Sequence, residues 1–405
     1  MLVQVDPFND RRRWTFLGLL FLSMAINLLD RQVLAVLAPS IRDEMRLTNT
    51  EYSLIVASFL LGLTLAQVPS GMLIDRIGVR AGLPLLMIWW SVANGLHATA
   101  RTVAQFCGFR FLLGVGECGN YSAGVKAISQ WFPVKERAFA GGIFNSGTVI
   151  GAFLAPYLIV KLSNAFGWRM AFLVPSALGL LWVIPWLLAY RERPAAAVRE
   201  AKVPLTPLLR KRQVWGAVLL RALAGPVVHF YWYWLPEYLK RERDFSMEMI
   251  GLLAGIPFLF AGLGNLAGGW FSGHLIRRGW SVDRSRKAAF LICGAMCLIS
   301  AAVPAAPGEA AAIALISLAT FALGGIAANH IGLLTDLFPS PVMARITGLT
   351  GMCEGAVNMA VQLATGIVVD RFGYYPVFLA AGLMPAVAIS SLFLLVRRVE
   401  RIEAV

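Results

Sequence analysis

The chain has 405 residues, of which 58% are hydrophobic and 14% are charged, and its formal net charge is +14. A soluble domain carries about 25% charged residues, so this composition excludes an ordinary soluble protein. Apolar residues occur in runs long enough to cross a hydrocarbon core about 30 Å thick, whereas barrel strands would be about ten residues long and alternate in polarity. The sequence therefore predicts an all-α polytopic membrane protein.

Twelve apolar segments are predicted as transmembrane helices, in two groups of six. The first group is 14–38, 51–73, 81–100, 105–131, 138–161 and 168–190. The second group is 214–238, 250–275, 287–305, 310–335, 343–368 and 373–396. The longest polar stretch lies between the groups. The predicted domains are an N-terminal half, 1–190, a cytoplasmic linker, 191–213, and a C-terminal half, 214–405.

Lys and Arg cluster in alternate gaps between the predicted helices, including residues 11–13, the linker and residues 397–401. Loops that remain in the cytoplasm carry such an excess of positive charge. Both termini are therefore expected in the cytoplasm, and the basic clusters need no nucleic acid to explain them. The five cysteines all fall in apolar segments, so no disulfide framework is expected.

Short matches at an offset near 200 residues relate the two groups of helices. Residues 71–76 resemble 273–278, and the fourth and tenth helices end in WFP (131–133) and LFP (337–339). A duplicated six-helix unit is typical of secondary transporters. The sequence contains no Walker-type phosphate loop and no helix with paired metal ligands, so neither ATP-driven pumping nor a cofactor is expected.

Charged residues inside the predicted helices are the strongest candidates for function, because a charge in the bilayer interior is costly. Asp30 and Arg31 lie well inside the first helix, Asn27 is one turn before Arg31, and Glu117 is near the middle of the fourth helix. A carboxylate in a low-dielectric cavity can carry a proton near neutral pH. An arginine can bind a carboxylate through two hydrogen bonds. Structural ion pairs are the alternative interpretation.

Two further cations lie in the predicted fourth helix. Arg110 is seven residues before Glu117 and shares its helix face. The two residues form either a structural pair or a pair that holds Glu117 charged in one state and releases it in another. Lys126 either contacts the substrate or extends toward the cytoplasm.

Other polar and aromatic residues in the predicted helices either contact a substrate or join helices by hydrogen bonds. They are Asn120, Tyr121, Asn145, Thr148, His229, Tyr233, Asn329, His330, Glu354 and Asn358. Asn145 and Thr148 are one turn apart and are suited to sugar hydroxyls. His229 and Tyr233 could face a cavity, whereas other aromatic residues nearby are expected at the membrane interface.

Two motifs resemble those of the major facilitator superfamily. Residues 71–80 read G-x-x-x-D-R-x-G-x-R, and residues 110–117 read R-F-L-L-G-V-G-E. Residues 27–39 (NLLDRQVLAVLAP), 117–140 and 230–239 (FYWYWLPEYL) resemble the anion:cation symporter family, and within it the hexuronate-transporter branch. The resemblance covers nearly the whole chain.

The resemblance implies proton-coupled uptake of a small organic anion, such as glucuronate or galacturonate, by a monomer in the bacterial cytoplasmic membrane. It further implies that Asp30 and Glu117 carry protons, that Arg31 binds the substrate carboxylate and that Arg110 pairs with Glu117. A set of motif residues would stabilise one conformation at the cytoplasmic edge. These residues are Gly71, Asp75, Arg76, Gly78 and Arg80.

Two departures from the branch bear on the substrate. Leu28 and Leu63 stand where relatives usually carry tyrosines, so two hydroxyls are missing from the expected pocket. This predicts a smaller, more apolar or different sugar acid. Alternative functions are proton-antiporting export of hydrophobic compounds, which a buried cation such as Arg31 disfavours, and a receptor without flux. An enzyme is not expected, since no nucleophile–base pair or metal cluster is evident.

Overall fold

The computed structural model describes residues 12–191, 209–338 and 340–400, and within these ranges the regular structure is helical. The first group of helices is α1 (Arg12–Met45), α2 (Asn49–Ile77), α3 (Val79–Leu96), α4 (Val103–Glu117), α5 (Gly119–Trp131), α6 (Val134–Phe166) and α7 (Trp168–Ala189). The second group is α8 (Arg212–Arg241), α9 (Met247–Leu253), α10 (Ile256–Arg277), α11 (Val282–Cys297), α12 (Gly308–Leu337), α13 (Ser340–Phe372) and α14 (Tyr375–Leu395). Short 3₁₀ segments, His97–Thr99 and Leu298–Ala305, extend α3 and α11.

Every predicted transmembrane segment corresponds to helix in the structure. Within the described ranges, ten helical stretches are long and apolar enough to cross a membrane. The two remaining predicted segments are α3 with its 3₁₀ extension, and α4 with α5, which meet at Cys118. Most helices run a few residues beyond the predicted ends, because helical hydrogen bonding continues through polar residues after the hydropathy has fallen.

The contacts divide the chain into two compact units. The first unit contains residues 1–47 and 54–198, and the second contains residues 48–53 and 199–405. In the first unit α1 packs on α6 and α7, and α3 packs on α4 and α7. In the second unit α10 packs on α12, and α8 packs on α13 and α14. Residues 1–11, 192–208 and 401–405 are outside the described ranges, so the linker boundaries and the location of the termini remain predictions.

Glycines allow close helix crossings at corresponding places in the two units. In the first unit, a Cβ at Gly62 of α2 would meet the carbonyl of Phe111, and one at Gly114 of α4 would meet the carbonyl of Phe59. In the second unit, α10 and α12 approach in the same way through Gly264 and Gly324. Small residues let backbones approach in a membrane, where close packing drives helix association. The crossing of α2 and α4 also places the Phe59 ring beside the charged residues of the first unit.

Candidate transport site

An ion pair joins α1 to α4 in the first unit. Arg31 donates from Nη2 and Nε to Oε2 of Glu117 at 2.8 and 3.1 Å, and Nη2 is 3.4 Å from Oδ1 of Asn27. The Arg31 guanidinium also lies 5.1 Å from the centroid of the Phe59 ring. The Glu117 side chain is 0% exposed and that of Arg31 is 14% exposed. These charge-assisted hydrogen bonds compensate a carboxylate that water does not reach.

Arg110 is buried beside this pair and contacts its main chain. Its Nη2 lies 3.5 Å from the carbonyl oxygen of Arg31, and its guanidinium is 5.8 Å from the Phe59 centroid. The sequence assigned Arg110 as the partner of Glu117. The hydrogen bonds to Glu117 given above come from Arg31. Arg110 lies beside this pair, and its pairing with Glu117 stays a prediction.

Asp30 occupies a different environment from Glu117. Its side chain is buried between α1, α3 and α7, and its Oδ1 accepts a 2.7 Å hydrogen bond from Nδ2 of Asn94. Asn94 is itself held by the carbonyl of Phe172 at 3.3 Å and by Oγ of Ser176 at 3.2 Å. Oδ2 of Asp30 has no hydrogen-bond partner among the described residues. The hydrogen-bond donor to Asp30 is thus a neutral amide on a neighbouring helix.

Sequence reasoning did not select Asn94. The available signal was a polar amide inside the predicted third helix, and such residues join helices in membranes. The structure shows that this amide is also the hydrogen-bond donor to Asp30.

Lys126 lies at the end of α2 and not beside the Arg31–Glu117 pair. Its Nζ is 2.8 Å from Oδ1 of Asp75 and 3.1 Å from the carbonyl oxygen of Ile74. The contact therefore pairs Lys126 of α5 with a carboxylate of the α2–α3 motif. Its role toward a substrate stays a prediction.

The other residues of the α2–α3 motif lie near the same end of α2. Gly78 precedes α3 with a φ of 82°, a conformation that favours glycine. Nη2 of Arg80 is 3.5 Å from the carbonyl oxygen of Leu187 on α7. Arg76 is exposed, and a Cβ at Gly71 would meet no other atom within 4 Å.

The remaining candidates in the first unit divide between packing and exposure. Asn120 accepts a 3.0 Å hydrogen bond from Ser23 and thereby joins α5 to α1. Tyr121 and Asn145 are exposed, and Asn145 donates to the carbonyl of Gly141 in its own helix. Thr148 is partly exposed. Asn120 therefore has a structural contact, whereas the other three retain polar groups that a substrate could reach.

Leu28, which stands where relatives usually carry a tyrosine, is a buried helix-packing residue in the structure. It is 2% exposed and lies on α1 against Gly151 of α6. Leu63 is partly exposed. The Leu28 side chain therefore packs between α1 and α6.

A second ion pair joins α8 to α13 in the second unit. Nε of Arg221 is 2.6 Å from Oε2 of Glu354, and Nη1 of Arg221 is 3.4 Å from Oγ1 of Thr350. Sequence reasoning selected Glu354 but not Arg221. The available signal was the same as for Arg31, namely an arginine inside a predicted membrane helix.

Most other candidates of the second unit contact neighbouring helices or their own helix. Asn358 accepts from Gln362, which in turn accepts from Trp234, so this chain joins α13 to α8. Asn329 donates to carbonyl oxygens of α10 and α12, and Nε2 of His330 is 3.1 Å from the carbonyl oxygen of Ala217. His229 contacts the carbonyl of Gly225 and stacks on Tyr233. Asn358, Asn329 and His330 are buried, in agreement with a packing role.

Comparison with known proteins identifies the family. The family model described as Major Facilitator Superfamily matches residues 20–361. The chain is 29% identical to the hexuronate transporter of Escherichia coli (strain K12) over 90% of each chain. It is 31% identical to the probable L-galactonate transporter of Escherichia coli (strain K12), with 91% of this chain and 86% of the relative covered.

A solved structure has the same fold. This is a bacterial homologue of the human lysosomal transporter Spinster, in an inward-facing and occupied conformation, with a TM-score of 0.83 and 18% sequence identity. The alignment covers 96% of this chain and 98% of that chain. Together with the family match, this confirms the expected twelve-helix fold. The chain belongs to the Major Facilitator Superfamily and, within it, to the hexuronate-transporter-like branch.

Proposed function

We propose that this transporter carries a sugar acid or a related organic carboxylate together with protons, by alternating access. The observation that carries the proposal is the Arg31–Glu117 ion pair in the membrane, with a second buried carboxyl group, Asp30, at the next position to Arg31. Sugar acids are the named substrates of the two relatives, hexuronate for one and L-galactonate for the other. An arginine in this setting favours an anionic substrate over a neutral or hydrophobic one.

Competition for Arg31 links the substrate to a proton. While Glu117 is ionised, it accepts both hydrogen bonds from Arg31 with a single oxygen. When Glu117 takes up a proton, its attraction for the guanidinium falls, and Arg31 can bind a substrate carboxylate through both arms of the guanidinium. The anion and the proton then bind together and leave together, which is the requirement for symport.

Asp30 provides a second proton position that does not compete with the substrate for Arg31. Its donor, Asn94, is a neutral amide that can hydrogen-bond the carboxyl group in either protonation state. Asp30 can therefore gain or lose a proton without breaking its contact to α3. In this scheme Glu117 controls anion binding, and Asp30 carries a proton in the helix interior.

The decisive test is uptake by proteoliposomes of labelled glucuronate, galacturonate and galactonate, with and without an inward proton gradient. We expect gradient-stimulated uptake of at least one sugar acid. Glu117→Gln should lose gradient-driven uptake while it retains substrate exchange, because glutamine resembles a permanently protonated glutamate. Glu309→Gln, at an exposed carboxylate in the first turn of α12, is the matched control. Undiminished driven uptake by Glu117→Gln would refute the coupling role.

The contact between Asp75 and Lys126 is proposed to stabilise one conformation of the transport cycle. It joins the end of α2 to α5 through one ion pair in which Asp75 is largely exposed. An exposed pair contributes little to folding, so its loss should alter the rate of exchange between conformations more than the stability. An Asp75→Asn variant with wild-type transport rates would contradict this role.

A further inference from the structure

The ion pair of the second unit has no role in the function proposed above. Arg221 lies in the third turn of α8, a helix that qualifies as a membrane span. Its two polar partners, Glu354 and Thr350, are one turn apart on α13. An arginine within a membrane helix is costly unless it has partners, and such residues usually mark substrate pathways or helix pairing.

The exposure of the pair is evidence against a purely structural role. The side chain of Arg221 is 34% exposed and that of Glu354 is 17% exposed, compared with 14% and 0% for Arg31 and Glu117. The second pair is thus the more accessible of the two. Arg221 uses Nε and Nη1 in its contacts, and its Nη2 makes no hydrogen bond to residues that the structure describes. A guanidinium has five N–H donors, so a ligand oxyanion can bind while part of the existing contact persists.

Two glycines shape this site. A Cβ at Gly225 on α8 would collide with Oε1 of Glu354, so a larger residue there would displace the carboxylate from its present position against α8. A Cβ at Gly351 would approach Nη1 and Nη2 of Arg221 to 3.8–3.9 Å, so a larger side chain there would cover the guanidinium. Gly225 thus leaves room for Glu354 beside α8, and Gly351 leaves Nη2 of Arg221 uncovered.

We propose that Arg221 is a second oxyanion-binding residue of the transporter and that a ligand carboxylate displaces Glu354 from it. The proposal rests on the proposed function and extends it to the C-terminal unit. Nη2 of Arg221 makes no hydrogen bond to the described residues and offers the first contact to the ligand. The ligand then takes the place of Glu354 beside the guanidinium, whose single positive charge balances one carboxylate. The ligand group is a carboxylate, either the second acid group of a diacid or the single acid group of a monoacid.

Ligand binding to the purified full-length transporter tests the proposal. The ligands are glucuronate, which has one carboxylate, and glucarate, which has two, and their dissociation constants are measured at pH 6 and pH 8. Arg221→Gln should weaken glucarate binding by about tenfold, the value of one charge-assisted hydrogen bond. Weakening for glucarate alone identifies the second acid group as the ligand, whereas weakening for both ligands identifies a carboxylate common to them. Glu354→Gln removes the competing carboxylate, so this variant should bind at least as tightly as the wild type.

Three further variants separate binding from folding. Arg371→Gln, at an exposed arginine on the same helix as Glu354, should behave as wild type. Arg221→Lys retains the positive charge but loses the planar guanidinium that can donate two parallel hydrogen bonds. Its affinity for the ligand should therefore lie between those of the wild type and Arg221→Gln. The exchanged variant Arg221→Glu/Glu354→Arg retains the ion pair with its two charges in each other's place. Its melting temperature should show that it is folded, whereas its affinity for the ligand should remain weak.

The outcomes that overturn the second site are distinct from failure of the proposed function. Wild-type affinity in a folded Arg221→Gln, with binding lost in Arg31→Gln, removes the second site and leaves the proposed function intact. Full recovery of binding in the exchanged variant shows that the pair is structural. If the wild type binds and transports no sugar acid at either pH, the proposed function fails and the second site fails with it.

Discussion

Removal of Arg31 should destabilise the protein more than removal of its partner, Glu117. Arg31→Gln removes the cation that donates two hydrogen bonds to the Glu117 carboxylate, whose side chain is 0% exposed. Breaking a buried pair in this way costs about 3–5 kcal/mol. Glu117→Gln leaves a cation that is partly exposed and still contacts Asn27 and the Phe59 ring. We expect Glu117→Gln to lower the free energy of unfolding by about 1.5–2 kcal/mol, the lower part of the range for a hydrogen bond to a charged group.

The assay is thermal unfolding in detergent of the wild type, both single variants and the double variant Arg31→Gln/Glu117→Gln. The double variant removes both charges, so its melting temperature should exceed that of Arg31→Gln, with a coupling free energy of about 2 kcal/mol. The loss of melting temperature caused by Arg31→Gln should also be smaller at pH 5 than at pH 8. A proton on Glu117 removes the unpaired charge from the folded state, so folding of this variant takes up a proton and is favoured as the pH falls.

Two results would refute this reasoning. Additive effects in the double variant would show that the side chains do not interact in the folded protein. A defect of Arg31→Gln that is the same at both pH values would show that Glu117 does not bear the unpaired charge. Either result would remove the physical basis of the competition proposed for Arg31.

Two other predictions follow from the helix contacts. Asn94→Leu removes the hydrogen-bond donor to Asp30 and keeps the number of heavy atoms in the side chain. Proton-driven uptake should therefore change its pH profile, while sugar-acid binding at a fixed pH stays within a few-fold of wild type; an unchanged profile would contradict a positioning role. Gly114→Ala introduces a methyl group against the carbonyl of Phe59 and should cost about 1–3 kcal/mol by overpacking. Gly108→Ala, where a Cβ meets no other atom within 4 Å, is the control, and equal melting temperatures of the two variants would contradict the close crossing.

The fold was predictable from the sequence to within a few residues at each helix end. Long apolar segments, the positions of the charged gaps and the repeated motifs indicate a twelve-helix transporter, and the comparisons confirm the family. Three of the charged residues selected, Asp30, Arg31 and Glu117, are in membrane helices and have buried polar contacts. They were identifiable because an ionisable residue in an apolar segment needs no alignment or structure to be noticed.

The partners of these residues were not predictable. Helical spacing related Arg110 to Glu117, but it did not reveal that Arg31 reaches Glu117 from α1. Lys126 was a substrate candidate and pairs with Asp75. Asn94 and Arg221 were overlooked, although each contacts a carboxylate that had been selected. A spacing rule describes one helix at a time, whereas each of these contacts joins two.

The sequence by itself determined which segments enter the membrane and which charges enter with them, because transfer into lipid depends on the composition of a single segment of about twenty residues. The tertiary structure alone decided how these charges are shared between helices. That choice depends on how closely helices approach, and small residues such as Gly114 and Gly225 set the approach. It also depends on burial, which leaves Glu117 inaccessible beside Arg31 and leaves Arg221 partly open beside Glu354.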